Sequence, residues 1–328
     1  MKKSSPTPTA QTTAAQAGAP VAPSGPLARW RTELGTVLIG QASVTETLLI
    51  ALIAGGHVLL DGPPGVGKRL LARALAASFG ADFVQVPCLP TPAGAALHPR
   101  LGTAEATGSA GQVLLVSGVE QASLPAQAAL QAALQAAEDE VAEVPPSQWS
   151  PFILIASRNP FDPSGVAPLG EALLDRFTLG IEVPFPSEED ETRMVREVSL
   201  STATDMLAVT APHPLFSAAE VAALQVRRGA IKVDEQLVSY AVRIVRATRF
   251  NARLSQGAGP RAAIALVRCA QARALLCDRG HATAEDIKLC APAVLRHRIQ
   301  LAPAQRLEAA ELGEVLGDLI NQVSAPRP

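Results

Sequence analysis

A chain of 328 residues, 48% hydrophobic and 18% charged with a formal net charge of -2, has material for two domains, because one hydrophobic core rarely serves more than about 300 residues. The near-neutral balance excludes the strongly basic surface of a nucleic-acid binder, and no nucleic-acid partner is expected. The most apolar run, Leu48 to Leu60, is interrupted by Gly55, Gly56 and His57 and falls short of the roughly 18 residues of a membrane span, so no membrane partner is expected either.

Residues 1–26 begin with two lysines but continue in Pro, Ser, Thr, Ala and Gln, without the apolar stretch of a secretory signal. They read as a disordered low-complexity tail, and a cytoplasmic location is expected. Cys88, Cys269, Cys277 and Cys290 form no Cys-x-x-Cys pair and the histidines are scattered, which favours free buried thiols and gives no metal site.

From residue 27 to 185 short apolar runs alternate with helical patterns. The runs are HVLLD (57–61), FVQVPCL (83–89), QVLLVSG (112–118), PFILIAS (151–157) and LGIEVPF (179–185). Such runs, bounded by Gly, Pro or Ser, suit parallel strands buried on both faces, so the fold class is α/β with a parallel five-stranded sheet between helices. After Phe185 the pattern changes. Ser187 with Asp190, Ser217 with Glu220 and Thr283 with Asp286 mark three helix starts, and no comparable strand run follows. Residues 186–328 are therefore expected to form an all-helical domain.

The stretch DGPPGVGKR (61–69) joins the strand HVLLD to the helix LLARAL, the setting of a phosphate-binding loop. Gly62, Pro63, Pro64, Gly65, Val66, Gly67, Lys68 and Arg69 are the candidate nucleotide cradle. Its glycines let backbone N–H groups turn toward phosphate, the helix N-terminus adds a partial positive charge, and Lys68 reaches the β and γ phosphates. Two magnesium ligands are missing from this pattern. Arg69 stands where a hydroxyl should follow the lysine, and the strand Val113 to Val116 ends in Ser117 and Gly118, neither of them acidic. Glu120 lies three residues beyond that strand, about 10 Å away in extended chain, and Asp61 before the loop reads as a cap or turn residue. Glu138, Asp139 and Glu140 read as a solvated helix face.

These segments resemble the MoxR-type AAA+ ATPases over nearly the whole chain except the tail. The resemblance rests on VLIGQ (37–41), GGHVLLDGPPGVGK (55–68), ASRNPFDPSGVAPLGEALLDRF (156–177), GAGPRAAIALVRCAQARALL (257–276) and VLRHRI (294–299). It implies an AAA+ core over 27–185, a helical lid over 186–328, and ATP or ADP between them. It also implies that Asn159 resembles the first sensor, Arg176 in LLDRF the arginine finger that acts in trans on a neighbouring subunit, and Arg261 in GPRAA the second sensor. Taken singly, Asn159 before Pro160 reads as a turn starter, Arg176 as a local ion-pair partner and Arg261 as a solvent-facing residue.

An arginine at position 69 places a permanent cation near the metal's place, and its planar fork binds phosphate oxygens directly. The first expectation is thus a nucleotide-regulated chaperone-like or regulatory subunit that needs little magnesium and hydrolyses ATP weakly or not at all, in an oligomeric ring of its own or one mixed with an active AAA+ paralogue. The alternatives are a working ATPase that matures partner proteins, among them ones with a von Willebrand factor A domain, and a scaffold without nucleotide. The intact loop from Gly62 to Lys68 speaks against the scaffold.

Overall fold

The computed structural model describes residues 25–37, 39–88, 111–143, 151–162, 167–199, 213–307 and 311–326. Residues 1–24 of the expected tail, and most of the segment between the second and third strands, lie outside them.

Two helices, α1 (Pro26–Val37) and α2 (Ala42–Ala54), precede the first strand, β1 (Val58–Asp61). The phosphate loop and α3 (Lys68–Ser78) follow, then β2 (Asp82–Pro87), β3 (Gln112–Ser117), a 3-10 turn (Val119–Gln121) and α4 (Leu124–Glu143). The core closes with β4 (Phe152–Arg158), α5 (Glu171–Leu174) and β5 (Leu179–Glu182). The five strands are parallel in the order β2-β3-β4-β1-β5, as the apolar runs predict.

Alternate strand residues feed two cores, the period-two signature of a sheet covered on both faces. Val58, Leu60, Val113, Leu115, Ile153 and Ile155 join one buried cluster, while Leu59, Leu114, Val116, Leu154 and Ala156 join the other. The second cluster lies under α4, through Ala126, Leu130 and Leu134. The first extends without a break into the C-terminal helices, where Tyr240, Ile244, Leu266 and Val294 belong to it.

Those helices are α6 (Glu188–Ser199), α7 (Ala218–Gly229), α8 (Glu235–Arg249), α9 (Pro260–Leu276), α10 (Ala284–Leu295), α11 (Pro303–Leu307) and α12 (Leu312–Gln322). The three expected starts are real: Ser217 and Thr283 form full capping boxes, and the Asp190 amide donates to Ser187 Oγ at 3.2 Å. The C-terminal part is not all-helical, however. Strands β6 (Leu254–Gln256) and β7 (Gln300–Leu301) pair antiparallel. They are too short to leave an apolar run, and they form only because folding brings the two ends of the α9–α10 hairpin together.

Buried polar side chains tie the two parts at defined points. Gln225 on α7 donates to the Leu52 carbonyl at 2.8 Å, and His297 Nε2 lies 2.8 Å from the Phe177 carbonyl.

Candidate nucleotide site

The strand ends set the site. Asp61 is in register with Arg158, and Ser117 with Ser157, so the tips of β1, β4 and β3 lie along one edge of the sheet. Ligands of open α/β sheets bind at this carboxyl edge. The loop after β1 has the backbone a phosphate cradle requires: Gly65 and Gly67 have φ of 85° and 92°, and a Cβ on Gly62 would sit 2.4 Å from the Val183 carbonyl oxygen. Lys68 Nζ donates to the Gly62 carbonyl and, at 2.8 Å, to that of Pro63, which holds the ammonium inside the curl. Pro64, Gly65 and Arg69 are exposed at its rim, and Val66 is buried beneath it.

Asp61 is not a cap. Its carboxylate takes both Nε and Nη2 of Arg158, at 2.8 and 2.7 Å, in a bidentate pair between neighbouring strand ends. The pair lashes the entry of the phosphate loop to the strand that carries Asn159. Asn159 Oδ1 accepts the Phe161 amide at 3.2 Å, an Asx turn that uses the acceptor end of the carboxamide and not its donor end.

At the end of β3 the extended-chain picture of Glu120 fails. Gly118 adopts φ of 75°, turns the chain back and donates its amide to the Ser157 carbonyl at 2.9 Å. One 3-10 turn follows, with Val119 anchored in the second core at 1% exposure. Glu120 is therefore carried on this turn, close enough to the loop for its charge to act on Lys68. Burial lowers the Lys68 pKa, and the negative charges of Glu120 and Asp61 oppose that shift. The thiol of Cys88 is pushed up to about 11, first by burial and then by Glu120. Glu120 Oε2 is enclosed and meets no hydrogen-bond donor among the described residues.

Arg176 and Arg261 gather elsewhere. Arg176 Nη1 is 3.1 Å from Glu138 Oε2, and Arg261 approaches the same oxygen at 3.9 Å and Asp175 Oδ2 at 3.9 Å. Glu138 is thus a shared anchor and not simply part of a solvated face. The cluster sits near the edge where the strands begin, since the Thr178 amide donates to the His57 carbonyl at 2.8 Å, just before β1. The four residues of β1 separate that edge from the phosphate loop by about 13 Å. Arg298 pins the turn that presents Arg176: its side chain, 3% exposed, binds Asp175 Oδ1 at 3.0 Å and the carbonyls of Asp175, Phe177, Thr178 and Val294.

Comparison with known proteins agrees with this architecture. Residues 57–179 match the family model described as "ATPase family associated with various cellular activities (AAA)", and residues 246–316 match that of the AAA lid domain. The protein YeaC of Bacillus subtilis is 30% identical over 306 residues, covering 89% of this chain and 92% of YeaC. The chain belongs to the MoxR family of AAA+ ATPases. Chaperone MoxR1 of Mycobacterium tuberculosis is 29% identical over 314 residues, covering 90% of this chain and 81% of its own. A crystal structure assigned to an ATPase of Cytophaga hutchinsonii superposes with a TM-score of 0.74 at 26% identity, covering 92% of this chain and 97% of that one.

Membership in the AAA+ class implies nucleotide binding at the loop, and the enclosed, donor-less Glu120 oxygen has the chemistry of a ligand for a divalent cation. Magnesium at a phosphate site takes one or two carboxylates and draws its other ligands from phosphate and water. Among the described residues no three His, Cys, Asp or Glu side chains gather into a metal site of their own, and no helix is long and apolar enough to cross a membrane.

The sequence set Glu120 aside as too far along the chain and gave no role to Arg158 or Arg298. Arg158 was open to discovery from the register of β1 beside β4, and Glu120 from the left-handed preference of Gly118. Little local marks Arg298, whose partners in the Asp175–Thr178 turn lie more than 100 residues away along the chain.

Proposed function

We propose that this MoxR-family protein is a nucleotide-responsive, chaperone-like ring subunit that binds ATP or ADP on Gly62 to Arg69, hydrolyses slowly, and lends Arg176 and Arg261 to the nucleotide of an adjacent subunit. The observation that carries this reading is the pairing of the two arginines on Glu138, at the sheet edge opposite their own phosphate loop. An arginine held there is of no use to phosphates on its own Lys68, but it is suitably placed for a ring neighbour's. Slow turnover follows from the end of β3: Ser117 and Gly118 supply no carboxylate, and Ser117 Oγ accepts from Gln85 Nε2 at 3.3 Å.

The residues divide the work by position. Loop amides and the start of α3 hold the phosphates, Lys68 neutralises them, Arg69 adds a cation at the rim, and Asn159 reports on the terminal phosphate from the tip of β4. The neighbour is either a second copy or an active paralogue. The clients are partner proteins whose maturation the ring assists, with von Willebrand factor A domains the leading class.

Sedimentation velocity with and without a non-hydrolysable ATP analogue tests the reading. Nucleotide is expected to drive assembly in the wild type. Arg176→Ala and Arg261→Ala should bind nucleotide as monomers with unchanged affinity yet fail to assemble. Loss of monomer affinity in either variant would place that arginine at its own nucleotide and overturn the assignment.

A further inference from the structure

We propose that Glu120 takes over from the missing strand-end acidic pair as the carboxylate that holds a divalent cation at the phosphate loop. The inference rests on nucleotide binding at that loop, and it departs from the expectation that Arg69 makes the metal dispensable.

Glu120 Oε2 is enclosed and lacks a donor among the described residues, a costly arrangement for a carboxylate unless a cation completes it. Its position is built and not incidental. The left-handed Gly118, the Gly118 amide on the Ser157 carbonyl and the buried Val119 fix the 3-10 turn on which Glu120 is carried. That turn caps β3, two strand spacings, or about 10 Å, from β1 across the intervening β4. The glutamate side chain covers part of that gap, and its charge is felt at Lys68.

Other carboxylates among the described residues have partners of their own. Asp162, beyond the tip of β4, accepts from Gln121 Nε2 at 3.3 Å. Asp61 is held at both oxygens by Arg158. Glu138 and Asp175 serve the arginine cluster at the far edge. Arg69 is exposed at the rim of the loop, which leaves Lys68 as the cation whose charge Glu120 meets there.

This placement makes a signed prediction. Without a metal, Glu120 repels the terminal phosphates; with one, the same carboxylate and the phosphates share the cation. Magnesium and nucleotide must then tighten each other's binding by the same factor, because coupling between two ligands is reciprocal.

The experiment uses the full chain and two readouts that need no turnover. Calorimetry measures ADP and a non-hydrolysable ATP analogue in magnesium and then in excess chelator, and electron paramagnetic resonance follows manganese binding with and without ADP. In the wild type, nucleotide should bind about tenfold or more tighter with metal, and ADP should tighten manganese equally. Glu120→Gln should bind nucleotide nearly alike in both conditions, at least as tightly as the wild type in chelator, and should lose the manganese site.

Equal metal dependence in wild type and Glu120→Gln would overturn the assignment. A wild type indifferent to metal would also overturn it, in favour of Arg69, and that arm needs no variant. The separate reading of the loop fails on a different result: a wild type whose nucleotide affinity is no better than that of Lys68→Ala, which would remove both proposals.

Discussion

Removing either side of the Asp61–Arg158 pair should cost similar stability yet move nucleotide affinity in opposite directions. Two unit charges about 4 Å apart attract by about 4 kcal/mol gross at an effective dielectric of 20. Desolvation and the partial exposure of Arg158, 24% against 9% for Asp61, reduce the net contribution. Asp61→Asn leaves the more exposed cation behind and is expected to cost about 2 kcal/mol. Arg158→Gln strands the more buried carboxylate and is expected to cost about 3 kcal/mol. The double variant should show a coupling of about 2 kcal/mol.

For nucleotide, geometry and charge separate. Both variants loosen the lashing between β1 and β4. Asp61→Asn, however, leaves an extra cation beside the phosphates, whereas Arg158→Gln leaves an extra anion directly before the loop. Titration of a fluorescent ADP analogue should find Arg158→Gln weakened by about tenfold or more and Asp61→Asn unchanged or tighter, with the difference shrinking in high salt. Urea unfolding of the four proteins gives the stabilities. Equal affinity losses in both single variants would show that the pair acts through backbone geometry alone, and a coupling below about 0.5 kcal/mol would show that it contributes nothing.

Further outcomes follow from other contacts. Gly62→Ala forces a Cβ into the Val183 carbonyl and should cost about 2 to 3 kcal/mol in urea unfolding, with loss of nucleotide binding; a wild-type-like variant would refute the close approach. Arg298→Met strands Asp175 and several carbonyls and should cost about 3 kcal/mol while abolishing ring assembly, and intact assembly would refute the role given to the turn. Burial lowers His57 to about 4 and lowers His297 well below its ordinary value, so both imidazoles stay neutral in the fold while the unfolded chain takes up protons below about 6.5. Stability should therefore be full above that pH and fall as pH drops from 6.5 toward 4, by about 2 kcal/mol at pH 5 from His57 alone. A flat urea midpoint between pH 7 and pH 5 would refute it.

Local signals carried far in this chain. Val58 to Asp61, Val113 to Val116 and Ile153 to Ser157 announced buried parallel strands because each is apolar on both faces, and Gly62 to Lys68 announced a phosphate loop because its residue types are dictated by backbone conformation. Capping boxes at Ser217 and Thr283 were equally legible, since both partners lie within one helical turn. Glu138 is exposed, as expected, but its ion pairs were not legible, for the opposite reason: Arg176 and Arg261, its partners, come from distant segments.

Read along the chain alone, the class of fold, the candidate phosphate loop and the absence of acidic residues at the end of β3 are all legible, because each depends on neighbours a few positions apart. Only the tertiary structure decided which charges meet. Strand order placed Arg158 on Asp61, one left-handed glycine returned Glu120 toward Lys68, and the packing of the lid helices on β5 drew Arg261 to Arg176. Electrostatic partners are chosen by distance in space, and in a parallel sheet with crossover helices that distance has little relation to separation along the chain.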